Sequence, residues 1–173
     1  MVEKIIVIYS SKYGTTKTYG KWISESLNCE CIDVASAPDL STYDTVVYGG
    51  GIYAGSISGI KKLKKYHFKQ LVLFTVSLSN PETTDYSEII EANMKNITAD
   101  SVKTFSLRGG IDYSKLSSVH KLAMAMLKKF VLDKKSEKDL TDDDRHMLVA
   151  YGSKTDFVNK ETIQPIISYI EMK

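Results

Sequence analysis

Lys4-Ile-Ile-Val-Ile-Tyr-Ser-Ser-Lys-Tyr-Gly-Thr-Thr16 runs from an uninterrupted apolar segment into a hydroxyl-rich loop and on toward a helix. An apolar run of this length, without alternation, fits a strand covered on both faces, as in a parallel sheet flanked by helices. The loop that follows suits a phosphate. Ser10, Ser11, Thr15 and Thr16 bring hydroxyls, Gly14 lets the backbone turn tightly, and the free N–H groups of the next helix add partial positive charge.

Beyond this stretch, strands and helices alternate along the chain. Residues 5–9, 29–34, 45–48, 71–76 and 102–107 read as strands, and residues 16–27, 57–66, 85–96 and 160–171 as helices. This pattern predicts an α/β, three-layer, doubly wound fold with a five-stranded parallel sheet in the order 2-1-3-4-5. In such sheets ligands sit beyond the carboxyl ends of the strands. Three loops are then ligand-ready: residues 10–16, residues 49–56 with Gly49-Gly50-Gly51, and residues 77–80.

A chain of 173 residues fits one domain, 1–173, and residues 113–144 read as an insertion holding a basic helix and a charged linker. On that helix Leu116, Val119, Leu122, Ala123, Met124, Met126, Leu127, Phe130 and Val131 gather on an arc of roughly 200°. Two occupants suit such a face, the protein's own sheet or an anionic membrane surface. Asp139 and Asp142 to Asp144 read as a solvated loop. Net charge is +2, too mild to argue for nucleic acid. No run approaches the ~20 apolar residues that cross a bilayer, and the expected location is cytoplasmic. Cys29 and Cys31 read as reduced, buried strand residues facing one side, and no metal site is expected.

Spacing separates the families that bind phosphate at such a place. No Gly-x-x-x-x-Gly-Lys-Ser/Thr run occurs, which argues against nucleotide hydrolysis, and the loop has one glycine where a dinucleotide fingerprint needs three. The third strand ends on Gly49 where a receiver domain would carry an acid, and the first loop lacks the cysteine of a phosphatase. A phosphate monoester met by hydroxyls and amides remains.

Ser11-Lys12-Tyr13-Gly14-Thr15-Thr16 resembles the flavodoxin phosphate signature, a Ser or Thr three places before Gly and a Thr two places after. Tyr13 departs from it, standing where flavodoxins commonly carry Thr, and Lys12 adds a charge. The resemblance implies bound FMN, held by Ser10, Ser11, Lys12, Tyr13, Gly14, Thr15 and Thr16 at the phosphate, Gly50, Gly51, Ile52, Tyr53 and Ala54 beside the ring, and Ser77, Leu78, Ser79 and Asn80 at the pyrimidine edge. The triple glycine also reads as a plain strand exit, and Tyr53 as a surface aromatic.

Across the whole chain, including Arg108-Gly-Gly-Ile-Asp-Tyr113 and Lys154-Thr-Asp-Phe157, the sequence resembles the flavodoxin-domain group that contains menaquinone-dependent protoporphyrinogen oxidase. That implies an FMN-dependent oxidoreductase taking electrons from a tetrapyrrole and passing them to a quinone, with peripheral contact to the inner face of the cell membrane through residues 113–135. Arg108 would meet a propionate, although a strand-end arginine also serves as a structural ion-pair partner. No catalytic acid or base stands out. The competing readings are a soluble carrier serving a redox protein, and a flavin-free binding module.

Overall fold

The computed structural model describes residues 3–172. Five strands form a parallel sheet: β1 (Ile5–Ser10), β2 (Glu30–Asp33), β3 (Thr45–Tyr53), β5 (His67–Ser77) and β6 (Thr98–Arg108), in the order β2-β1-β3-β5-β6. The short β4 (Ser56–Ile57) pairs antiparallel with the end of β3 and lies off this path. With that hairpin strand left out of the count, the order is the expected 2-1-3-4-5.

Alternation of side chains explains why the central strands β1, β3 and β5 carry long apolar runs. Ile6, Ile8, Val46, Tyr48, Leu71 and Leu73 point to one face, where Leu40, Ile60 and Leu63 cover them. Val7, Val47, Val72, Phe74 and Val76 point to the other, against Tyr19 and Ile23 of α1 (Thr15–Leu27) and Ile166, Ile167 and Ile170 of α5 (Gln164–Glu171). α2 (Ser87–Met94) contributes Ile90 and Met94 to the first face. Tyr19, fully buried, ties three elements together: its hydroxyl donates to the Arg108 carbonyl at 2.7 Å and accepts from the Asn159 amide at 3.2 Å.

Three expectations change, and one pair of strands is added. Residues 57–66 do not form an α-helix: Ile57 completes β4, and Ile60–Lys65 is a 3₁₀-helix. Its sequence repeats apolar residues every three positions, and with three residues per turn Ile60 and Leu63 eclipse on the buried side. The aspartates read as a loop open α4 (Asp142–Ala150), where the Thr141 hydroxyl accepts from the Asp144 amide and the Asp144 carboxylate accepts from the Thr141 amide. A small antiparallel pair, β7 (Gly110–Asp112) with β8 (Lys154–Asp156), joins the chain after β6 to the segment before α5. Cys29 and Cys31 share one face as expected but are half-buried rather than buried; partial burial pushes the Cys29 thiol up to about 11 and raises that of Cys31.

α3 (Ser118–Phe130) occupies the insertion, with Ser117 capping its start. None of its residues is buried. Val119, Leu122, Met126 and Phe130 form an exposed stripe, so the helix does not bury its apolar arc against the sheet. Among the described residues no helix is long and apolar enough to cross a membrane, and no group of three His, Cys, Asp or Glu could hold a metal.

Candidate functional site

Register brings the three expected loops to one end of the sheet. Ser10 pairs with Gly50, Gly51 with Val76, and Ser77 with Arg108, so β1, β3, β5 and β6 finish side by side. From β1 the chain enters the phosphate loop. Gly14 is the N-cap of α1 with φ 97°, and no side chain caps the helix. The first-turn amides of an α-helix have no intrahelical acceptor, so Thr15, Thr16 and Lys17 leave donors that a phosphate can take. The Ser11 hydroxyl accepts from the Gly14 amide at 3.1 Å and shapes the turn. Thr16 is buried, and Lys12 is exposed with its ammonium 5.7 Å from the Tyr13 ring.

Loop one is locked to the β3–β4 hairpin. Ser10 and Ser58 hydroxyls are 2.8 Å apart, and the Tyr48 hydroxyl donates to the Ser58 carbonyl at 2.6 Å. Ile52 and Tyr53 pair with Ile57 and Ser56, while Ala54 and Gly55, both with positive φ, make the two-residue turn that suits strand twist. A Cβ on Gly50 would lie 2.6 Å from Ile57 and 2.9 Å from the Ser58 carbonyl, so close approach of the hairpin itself requires glycine there. Tyr53 folds back over Gly51, and burial pushes its hydroxyl up to about 12.

The loop after β5 is held from three sides. Ser77 bonds the Tyr86 hydroxyl, the Leu78 carbonyl accepts from Arg108 Nε at 3.1 Å, and the Asn80 amide donates to Asp143 Oδ1 at 2.9 Å. The Ser79 carbonyl accepts from Tyr86 at 3.2 Å. Arg108 is engaged elsewhere as well: Nη2 lies 3.1 Å from His146 Nδ1 and 3.8 Å from Asp143, and the guanidinium stacks 3.7 Å from the Phe157 ring centre. Its surroundings match the structural ion-pair reading, with the arginine strapping α4 to the 77–80 loop.

A family model described as a flavodoxin domain matches residues 6–139. The chain belongs to the flavodoxin domain family. No curated protein matches its sequence. Among solved structures it is similar to a flavoprotein in complex with FMN from Lactobacillus acidophilus NCFM, at 13% identity over 60% of this chain and 93% of that one, TM-score 0.47. It is also similar to oxidised Flavodoxin 2 from Bacillus cereus, at 16% identity over 61% and 84%, TM-score 0.47, and to a flavodoxin from the domain Archaea, at 13% over 86% and 96%, TM-score 0.43.

In this flavodoxin domain the insertion reaches back to the site through His120, which no sequence signal marked. Its Nδ1 is 2.7 Å from the Tyr13 hydroxyl, and its ring stacks on Tyr53 with centres 4.9 Å apart and planes 16° from parallel. The Tyr13 oxygen accepts from the Ser117 amide at 3.3 Å, leaving its proton for Nδ1, so the imidazole is assigned as neutral with hydrogen on Nε2. Desolvation, then the Lys12 charge, lowers its pKa below the ordinary 6.5. Neutral histidine therefore fits the folded cluster, and stability present above 6.5 is lost as pH falls through the depressed folded value. Hydrogen exchange in the first turn of α3, corrected for intrinsic rates, should quicken as pH falls below the ordinary 6.5, and His120→Gln should flatten that dependence. Equal pH profiles in the two proteins would remove His120 from the contact.

Beside the phosphate loop opens a cleft of about 460 Å³ between α1 and the β7–β8 pair. Tyr13, Trp22, Ile111 and Val158 give it apolar wall, with Lys115 and Lys154 among its polar lining.

Proposed function

We propose that the chain binds one FMN noncovalently and works as an FMN-dependent oxidoreductase, oxidising a tetrapyrrole such as protoporphyrinogen with a quinone as acceptor. The observation that carries the flavin is the uncapped, glycine-led start of α1 beside the glycine-rich β3–β4 hairpin, in a chain of the flavodoxin domain family. Ser11 and the first-turn amides of α1 would hold the phosphate, and the hairpin and the 77–80 loop would position the ring. When bound, FMN supplies the two-electron chemistry. Ser58 and Tyr48 keep the phosphate loop against the hairpin, and Arg108 with Asp143 keeps the 77–80 loop in place.

A quinone acceptor fits α3 better than a soluble carrier role does. Residues 115–135 hold six lysines and one acid, beside the stripe of Val119, Leu122, Met126 and Phe130. Lys129 and Lys134 each lie 5.6 Å from the Phe130 ring centre, so charge and apolar surface meet at one place. Co-sedimentation with anionic-lipid vesicles should retain the protein, and Leu122→Glu with Phe130→Glu should weaken retention about tenfold or more. Equal retention of the double variant would move the contact elsewhere.

For the reaction itself, flavin-loaded protein is mixed with protoporphyrinogen and menaquinone. Turnover supports the oxidase reading; stable FMN without turnover favours the soluble carrier. Protein that lacks flavin absorbance and fails to take up FMN would leave the flavin-free binding module.

A further inference from the structure

The 3₁₀-helix Ile60–Lys65 carries a surface that the flavin reading does not use. At three residues per turn its side chains form three ridges. Ile60 and Leu63 are buried, while Lys61 with Lys64 and Lys62 with Lys65 make two exposed rows. Among the described residues none of these four ammonium groups lies within ion-pair distance of a carboxylate, whereas Lys69, Lys128 and Lys135 each have one at 2.6–2.8 Å. The Asp39 carboxylate is held by the Ser41 hydroxyl and amide, with the Lys65 charge the last and smallest influence on it.

These rows face a cleft of about 570 Å³ whose other wall is Val34, Ala35 and Ala37. The Tyr66 hydroxyl donates to the Pro38 carbonyl at 3.2 Å, which joins the end of the helix to that wall, and Lys65 lies 4.8 Å from the Tyr66 ring centre. The rows are thus mounted on a fixed base. Gly59, the residue before the helix, packs on Ser10 and Tyr48. At about 2.0 Å rise per residue, Lys61 and Lys65 stand roughly 4 and 12 Å along the axis from it.

We propose that this cleft is a docking surface for a protein partner with an acidic face, seated within about a dozen ångströms of the phosphate loop. Unpaired, solvated lysines in ordered rows cost nothing to desolvate at long range and steer an oppositely charged surface into register. A small anion would need fewer charges and a closed pocket, and a membrane would need apolar residues between the lysines, where this helix turns its apolar ridge inward. The surface needs no bound flavin, so its test is independent of the redox reading.

The probe is an oxidised plant-type ferredoxin, a small acidic redox protein, immobilised for biolayer interferometry against the full chain at low salt. Binding is expected to weaken at least about tenfold between 20 and 200 mM salt. The variants Lys61→Gln with Lys64→Gln, and Lys62→Gln with Lys65→Gln, should each lose about tenfold and show a shallower salt slope, with unchanged circular dichroism. Lys129→Gln with Lys134→Gln, on α3, should leave binding as it was. Absent binding at low salt, or equal losses from the α3 pair, would overturn the proposal.

Discussion

Gly49→Ala should lower the melting temperature by about 6–12 °C, the largest effect expected of any single methyl group in this chain. Gly49 sits in the middle of the sheet, paired with Tyr9 on one side and Phe74 on the other. A Cβ there would lie 2.1 Å from Phe74 Cζ and 2.5 and 2.6 Å from the two Cε atoms. Were the ring in solvent it would swing aside, but Phe74 is fully buried among Val47, Val72 and the α1 and α5 side chains. Either the ring leaves its rotamer or β3 and β5 separate, at a cost of about 3 kcal/mol. Thermal unfolding of Gly49→Ala, Phe74→Leu and the pair separates these outcomes. The double variant should be more stable than the two single losses added together, because leucine removes the ring tip. Additive losses would mean that Gly49 and Phe74 do not meet.

Gly14→Val should weaken FMN binding about thirtyfold or more while leaving riboflavin binding within about threefold. With φ 97° Gly14 adopts a conformation that costs a side-chain-bearing residue about 1–2 kcal/mol, more for a β-branched one. Nothing lies within 4 Å of a Cβ at this position, so the effect is conformational, not a clash. Relaxing φ tilts the first-turn amides of α1 away from the phosphate, and riboflavin has no phosphate to lose. Flavin fluorescence quenching measures both constants. Equal losses for the two flavins would place the phosphate somewhere other than at α1.

The sheet was legible because its central strands alternate two apolar sets: Ile6 and Ile8 against Val7, Leu71 and Leu73 against Val72 and Phe74. The 3₁₀-helix was legible in principle, since Ile60, Leu63 and Tyr66 repeat every three residues, a period that α-helical reading blurs. α4 carried a readable start in Thr141-x-x-Asp144, masked by the run of charge around it. The contacts of the insertion were not legible. His120 meets Tyr13 across 107 positions, and Arg108 meets Leu78 and His146 across 30 and 38, so their partners depend on how α3 and α4 fold back. For Arg108 the residue type suggested a carboxylate ligand, while its partners in the fold are a carbonyl, an imidazole, a nearby carboxylate and the Phe157 ring. The phosphate loop was the reverse case. Its hydroxyls, its glycine and its helix start are all local in sequence, and the structure places them where β1 ends.

Titration of flavin-free protein with FMN, followed by fluorescence quenching and by the shift of the flavin absorbance bands, decides whether the chain holds a flavin by its phosphate. Binding should saturate at one FMN per chain, with riboflavin bound at least about a hundredfold more weakly for want of the phosphate. Absence of saturable FMN binding, or equal affinity for the two flavins, would contradict a phosphate-held flavin.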